Sequence, residues 1–137
     1  MKNKFHSVLL IDDSIPINYF HKIIIEKSGV SLSCVAVNNG QEGLDYLQIK
    51  QDAQERFPEL IFVDINMPVM NGWEFLEKFR TNHIATLKEV VTVMLTTSIN
   101  PDDKEKAKKL NVLNYLPKPL TVKVLEDLCE SYFKDRL

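Results

Sequence analysis

Cysteine is scarce in this sequence, which has 137 residues and two cysteines, Cys34 and Cys129. The two stand far apart and form no CxxC pair, which argues against both a zinc site and a disulfide framework. We interpret them as buried thiols. Long apolar runs are also missing, because the run at residues 8–11 stops at two aspartates. A signal-peptide core or a membrane-spanning helix would continue, so we expect a cytoplasmic protein that contacts no membrane.

An excess of charge of either sign is absent too. Seventeen basic and nineteen acidic side chains give a formal net charge of −2, which is too balanced to indicate a nucleic-acid partner by electrostatics alone. The 45% apolar and 26% charged residues are ordinary for a globular protein. A chain of this length suits one core. We therefore expect a single domain over residues 1–137.

Short apolar runs rich in β-branched residues predict three buried strands, at residues 8–11, 60–63 and 90–95. Continuous apolar runs are typical of strands that are covered on both faces, as in a parallel sheet. Residues 31–37 alternate more, and residues 112–116 contain Asn114 and precede Pro117. We therefore predict that these two further strands lie at the sheet edges.

Between the strands the apolar period becomes helical. A first predicted buried stripe comprises Phe20, Ile23, Ile24 and Lys27, and a second comprises Leu125, Leu128, Cys129 and Tyr132. Asn100-Pro101 predicts a helix start, and we interpret the lysines at 104, 106, 108 and 109 as a solvated helix face. Residues 45–58 leave open whether the second helix runs long or gives way to a loop. Five strand–helix units predict an α/β fold with a doubly wound parallel sheet.

Chemically active side chains follow four of the predicted strands: Asp12-Asp13, Asp64, Thr96-Thr97 and Lys118-Pro119. Ligands of an open parallel sheet bind beyond the carboxyl ends of its strands, so we expect these groups to converge. Two carboxylates about 5 Å apart repel by about 3 kcal/mol at an effective dielectric of about 20, which calls for a cation. Oxygen ligands without nearby Cys or His favour a hard ion, and Mg²⁺ suits carboxylates, water and a phosphate. The set therefore indicates phosphoryl chemistry.

Four stretches carry a resemblance to a known family: residues 11–13 (IDD), 64–72 (DINMPVMNG), 95–97 (LTT) and 118–119 (KP). They resemble the signature stretches of response-regulator receiver domains of two-component signalling, in particular chemotaxis-regulator-like ones. The resemblance spans nearly the whole chain. It implies a flavodoxin-like fold, with five parallel strands in the order 2-1-3-4-5 and five helices, and a receiver without a separate output domain.

The resemblance also implies roles for the acidic residues. Asp64 would be the phosphoacceptor, a nucleophile that attacks a phosphohistidine. Mg²⁺ would be held directly by Asp13 and Asp64, through water by Asp12, and by the backbone carbonyl of Asn66. The ion would offset the negative charge of the acceptor and of the phosphoryl oxygens.

Three further residues would respond to the phosphoryl group. Lys118 would pair with one phosphoryl oxygen, and the Thr96 hydroxyl would donate to another. Movement of Thr96 would let Tyr115 turn inward and alter the surface of helix 4, strand 5 and helix 5. The resemblance implies a sensor histidine kinase or a histidine phosphotransfer protein as donor, and an unidentified protein as target. It implies no metabolic enzyme, although receivers assist their own phosphorylation and dephosphorylation.

Simpler interpretations exist for several residues. Asp12, Asp13 and Ser14 could merely cap the first helix. Asn71-Gly72 is interpreted as only a turn. Trp73 and Phe75 are interpreted as packing residues, and the histidines at 6, 21 and 83 as surface residues.

Two other functions compete with the receiver. A phosphatase of the haloacid-dehalogenase type also uses a strand-end aspartate and Mg²⁺, but it carries an acid two residues later, where this chain has Asn66. An amide cannot perform that proton transfer. A phosphate-independent binding module is disfavoured because the full acidic and basic set is present.

Overall fold

Strands and helices alternate in the computed structural model, which describes residues 4–82, 90–97, 101–109 and 114–134. The strands are β1 (Val8–Ile11), β2 (Cys34–Val37), β3 (Leu60–Asp64), β4 (Val91–Thr96) and β5 (Asn114–Pro117). The helices are α1 (Ile15–Ser28), α2 (Gly40–Asp52), α3 (Gly72–Asn82), α4 (Pro101–Lys109) and α5 (Val122–Lys134). Because α2 ends at Asp52, the open question about residues 45–58 resolves into a helix followed by a loop.

All five strands pair in parallel, in the order β2-β1-β3-β4-β5. This confirms the predicted fold and the placement of β2 and β5 at the edges. The inner strands β1 and β3 are buried at every position, as expected of strands that helices cover on both faces. Strand order reverses at β1, which pairs with both β2 and β3, and this opens a crevice at the carboxyl ends of β1 and β3.

Each face of the sheet carries its own hydrophobic core. Alternate residues of β1 face opposite sides, so Leu9 and Ile11 join one buried cluster and Val8 and Leu10 join the other. Trp73 and Phe75 belong to the first cluster, which confirms that they are packing residues. The predicted α5 stripe is also confirmed, since all four of its residues are buried in the second cluster.

The predicted stripe of α1 is wrong for three of its four residues: Phe20, Ile23 and Lys27 are exposed, whereas Ile24 is half-buried against the second cluster. Phe20 and Ile23 are 42% and 43% exposed, and the buried residues of this helix are Asn18, His21 and Ile25. The apolar period misled because two polar side chains take inward-facing positions, where other parts of the chain supply their hydrogen-bond partners.

The interpretation of the histidines as surface residues is therefore wrong for His21, which is buried, while His6 is half-buried. His83 lies outside the described residues. Cys129 is buried and Cys34 is half-buried. The α4 lysines Lys106, Lys108 and Lys109 are exposed, as predicted, and the side chain of Lys104 is not among those described. Within the part of the chain that the structure describes, no helix has the length and apolar character needed to cross a bilayer.

Candidate functional site

Three carboxylates meet in the crevice at the carboxyl ends of β1 and β3. Asp12, Asp13 and Asp64 each offer an oxygen, and these oxygens all lie within 4.8 Å of one another. Asp12 and Asp64 are buried, whereas Asp13 is exposed at the mouth of this acidic pocket. The convergence predicted from the strand ends is therefore present.

Two successive hydrogen bonds hold the loop that carries Asp12 at the start of α1. Asp12 Oδ1 accepts from Ser14 N–H at 2.9 Å, and Ser14 Oγ accepts from Ile17 N–H at 3.3 Å. Ser14 is therefore the cap of α1, and Asp12 supports the turn while its other oxygen faces the pocket. The capping interpretation and the pocket interpretation both hold for this loop.

Asn18 is a structural residue of the site that sequence reasoning missed. Its side-chain amide donates to the carbonyl oxygens of Asp12 at 2.9 Å and of Val37 at 3.0 Å. It thereby joins the ends of β1 and β2. The sequence signal was a polar residue within a largely apolar helical segment, six positions after Asp12, but the apolar residues around it favoured a different buried face.

Lys118 supplies a positive charge to the pocket. Its Nζ lies 2.9 Å from Asp12 Oδ2 and 3.3 Å from Asp64 Oδ1, and its backbone N–H donates to Thr96 O at 2.9 Å. Burial lowers the pKa of Lys118, but the hydrogen bond and charge of Asp12, followed by the charge of Asp64, outweigh burial and raise the pKa above its ordinary value. Lys118 is therefore a cation at neutral pH.

The carboxyl group of Asp64 has a raised pKa. Burial is the main cause and the charge of Asp12 adds to it, while Lys118 and the N–H of Asn66 act in the opposite direction. The positive charge and hydrogen bonds around Asp64 are therefore too few to offset the cost of its buried negative charge. A bound divalent cation would supply the missing positive charge. Carboxylate oxygens are ligands that hard cations such as Mg²⁺ prefer, so the residues present fit such an ion.

The remaining predicted site residues are on β4, in the loop after β3 and on β5. Thr96 is buried and ends β4. Asn66 is exposed, and its backbone N–H lies 3.4 Å from Asp64 Oδ1. Tyr115 pairs in register with Met94 and packs, half-buried, against the first hydrophobic cluster. Tyr115 therefore contacts the hydrophobic core on that face of the sheet.

The interpretation of Asn71-Gly72 as only a turn is wrong. Asn71 Oδ1 accepts from Glu74 N–H at 2.9 Å, and Glu74 Oε1 accepts from Asn71 N–H at 3.0 Å, so this pair caps α3 reciprocally. A Cβ on Gly72 would lie 2.6 Å from the carbonyl oxygen of Asp64. Glycine lets the start of α3 approach the acid of β3.

Comparison with known proteins agrees with this geometry. Residues 8–130 match the family model described as the response regulator receiver domain. The chain belongs to the response-regulator receiver domain family. It is accordingly a receiver-domain response regulator of two-component signalling, and proteins of this family accept phosphoryl groups and interact with histidine kinases.

Three similar proteins illustrate the match. A two-component response regulator from Cytophaga hutchinsonii has a crystal structure with a TM-score of 0.89 and 32% identity, covering 96% of this chain and 99% of that one. The probable methanogenesis regulatory protein FilR2 of Methanothrix harundinacea is 28% identical over 128 residues, covering 90% of this chain and 79% of its own. The Mn²⁺-bound form of the response regulator Rcp1 has a TM-score of 0.71 and 28% identity, covering 93% and 94%. Rcp1 of Synechocystis is itself 29% identical to this chain over 119 residues, which cover 86% of this chain and 80% of Rcp1.

Proposed function

We propose that Asp64 is the residue that accepts the phosphoryl group, with Mg²⁺ bound beside it by Asp12, Asp13, Asp64 and the backbone carbonyl of Asn66. The observation that supports this is the grouping of three carboxylates within 4.8 Å around a buried strand-end acid. The Lys118 ammonium group adds support, because it lies 3.3 Å from an oxygen of that acid.

In the transfer, a carboxylate oxygen of Asp64 forms a bond to phosphorus as the bond from phosphorus to the donor nitrogen breaks. The phosphoimidazole, which carries a proton on its other ring nitrogen, leaves as neutral imidazole with the electron pair of the P–N bond, and Asp64 becomes an acyl phosphate. Mg²⁺, when bound, offsets the negative charges of acceptor and phosphoryl oxygens. Asp12 and Asp13 supply oxygen ligands for the ion, and Asp13, being exposed, lies where a metal and a donor enter.

Lys118 and Thr96 contact the phosphoryl group during its transfer and after it is attached. Lys118 Nζ, which lies nearer Asp12 than Asp64, pairs with a phosphoryl oxygen on Asp64 as a point charge. The Thr96 hydroxyl donates to another oxygen. The ring of Tyr115 then moves further inward and changes the surface formed by α4, β5 and α5, which a downstream protein reads.

The donor is a sensor histidine kinase or a histidine phosphotransfer protein that contacts the start of α1. This helix begins two residues after Asp13, and Ile15 and Tyr19 on it are 68% and 70% exposed. Exposed apolar side chains beside a reactive pocket are typical of protein contacts. In this role the chain is a phosphoacceptor and acts on no separate metabolite.

Intact-mass measurement tests the acceptor. After incubation with Mg²⁺ and phosphoramidate, wild type should gain one phosphoryl mass and Asp64→Asn should gain none. Asp127→Asn, which alters an exposed acid of α5, is the matched control and should behave as wild type. Equal labelling of Asp64→Asn would refute the assignment. Steady turnover of a small phosphomonoester, lost in Asp64→Asn, would instead favour a phosphatase.

A second comparison tests the donor surface. The double variant Ile15→Ser/Tyr19→Ser should accept phosphoryl groups from phosphoramidate at the wild-type rate. It should accept them more slowly from a phosphorylated histidine kinase that labels the wild type. Equal rates with both donors would exclude the α1 surface as the donor contact.

A further inference from the structure

A buried histidine of α1 contacts the turn that follows Lys118. His21 Nε2 accepts a hydrogen bond from the backbone N–H of Leu120 at 3.1 Å, and both residues are only 1% exposed. An imidazole nitrogen accepts a hydrogen bond only when it carries no proton, so the ring proton is assigned to Nδ1. Burial lowers the pKa of His21, with Asp12 opposing this effect and Lys118 adding to it. The ring is therefore neutral at pH 7.

The turn between β5 and α5, residues 118–121, is held at each end by contacts near its own strand and helix. Lys118 N–H donates to Thr96 O at 2.9 Å, and Thr121 Oγ1 accepts from Val124 N–H at 3.2 Å at the start of α5. The bond from Leu120 to His21 fastens the middle of the turn to a helix from the other end of the sequence. It thereby links α1 to the segment that carries Lys118.

Loss of the His21 acceptor would leave a buried N–H unsatisfied. Such a group is unfavourable enough that the turn would shift to bring it toward another acceptor or water. Leu120 is two residues from Lys118, whose ammonium group lies within 3.3 Å of both Asp12 and Asp64. A shift of the turn therefore changes where this charge lies relative to the acidic pocket.

We propose that His21 is a positioning residue for Lys118, because its hydrogen bond from Leu120 fixes the turn that holds the lysine ammonium group against the acidic pocket. The inference rests on the role proposed above for Lys118. A histidine that only filled space could be replaced by an apolar residue of similar size, whereas this role requires an acceptor where Nε2 now lies.

The first test compares phosphorylation rates with phosphoramidate at saturating Mg²⁺. His21→Leu should lower the rate by roughly tenfold or more, since small displacements of a catalytic group have effects of this order. His21→Gln, whose side-chain oxygen can accept the same bond, should stay within about threefold of wild type. Ile25→Val, on the same buried face of α1, controls for lost packing and should leave the rate unchanged. Equal rates for the leucine and glutamine variants would overturn the proposal.

A double-mutant cycle separates this inference from the proposed function. If Lys118→Ala alone leaves the rate unchanged, the role assigned to Lys118 fails. If Lys118→Ala lowers the rate and His21→Leu does not, only the inference about His21 fails. The proposal predicts that His21→Leu lowers the rate in wild type but causes no further loss in the Lys118→Ala background. A full additional loss would mean that His21 acts through another group.

A backbone substitution covers the case in which His21→Leu does not fold. Leucic acid incorporated at position 120 replaces the Leu120 N–H by an ester oxygen and leaves every side chain in place. The ester protein should show the same loss of rate as expected for His21→Leu. A rate equal to that of wild type would overturn the proposal.

Discussion

Lys118 Nζ lies 2.9 Å from Asp12 Oδ2, so the end of β5 is ion-paired with the end of β1 across the acidic pocket. The two side chains are 12% and 4% exposed. Lys118 also contacts Asp64 at 3.3 Å, and its removal leaves two buried carboxylates without this counter-charge. We expect Lys118→Ala, in magnesium-free buffer at pH 7, to lower the free energy of unfolding by about 3 kcal/mol, as measured by urea denaturation.

A surface lysine provides the control for that measurement. Lys123 pairs with Asp127 at 3.6 Å, but the two side chains are 86% and 63% exposed. Exposed pairs contribute little, so Lys123→Ala should change the free energy of unfolding by less than about 1 kcal/mol. Similar losses of unfolding free energy in the two variants would show that the buried pair stabilises the fold no more than the exposed pair does.

Substitution of Asp13 should weaken metal binding without weakening the fold. It is the exposed member of the acidic pocket, so Asp13→Asn should scarcely alter stability in EDTA. Mg²⁺ at a hundred times its dissociation constant should stabilise wild type by about 2.7 kcal/mol, and Asp13→Asn should lose most of this gain. Urea denaturation with and without Mg²⁺ gives both values. An undiminished gain in the variant would exclude Asp13 as a ligand.

Gly72 lies in a crowded position near Asp64 and Gly29 in an open one, so alanine substitutions at the two glycines can be compared. A Cβ on Gly72 would meet the Asp64 carbonyl oxygen at 2.6 Å, whereas nothing lies within 4 Å of one on Gly29, whose φ is +72°. Gly29→Ala should lower stability by about 1 kcal/mol, because alanine is strained in the left-handed region, and should leave the phosphorylation rate unchanged. Gly72→Ala should lower stability by about 1 to 3 kcal/mol through overpacking and also slow phosphorylation, because Asp64 is displaced. Urea denaturation and the phosphoramidate assay give the two readouts. Unchanged phosphorylation in Gly72→Ala would contradict this.

His21 makes stability depend on pH. Burial holds the pKa of its imidazole below the ordinary value. The charge of Asp12 raises this pKa and the charge of Lys118 lowers it further, but burial has the largest effect. The unfolded chain therefore takes up the proton first, at about pH 6.5. The stability from the neutral ring is complete above that pH and is lost as the pH falls below it, by at most about 1.4 kcal/mol per pH unit.

Comparison with His21→Gln isolates this contribution, since the carboxylates of the pocket titrate in both proteins. Between pH 7.5 and 5, the free energy of unfolding should fall more steeply for wild type than for the variant. Parallel curves from urea denaturation at each pH would show that the imidazole does not contribute.

Much of the fold and the pocket could be predicted because parallel sheets impose simple rules. Buried strands need continuous apolar runs, as in β1 and β3, and their carboxyl ends share one edge, which brought Asp12, Asp64 and Lys118 together in the prediction. The inward face of α1 could not be predicted in this way. The side-chain NH₂ of Asn18 donates to carbonyl oxygens at the ends of β1 and β2, and His21 Nε2 accepts from the Leu120 N–H. Such distant partners are invisible in a local pattern.

The loop after β3 holds a second feature beyond the reach of local patterns. Val69 has a φ of +69° and is fully exposed, although β-branched residues rarely adopt this conformation. Its neighbours Pro68 and Met70 are joined by a hydrogen bond from Met70 N–H to Pro68 O at 2.8 Å. The chain thus tolerates local backbone strain in this loop, which residue propensity alone argues against.

The most direct measurement locates the phosphoryl group along the chain. Folded, Mg²⁺-loaded protein is treated with phosphoramidate, the acyl phosphate is reduced with borohydride, and the resulting homoserine is mapped by tandem mass spectrometry. We predict homoserine at position 64. Homoserine at another aspartate, or none at all in protein shown to be folded and metal-bound, would contradict it.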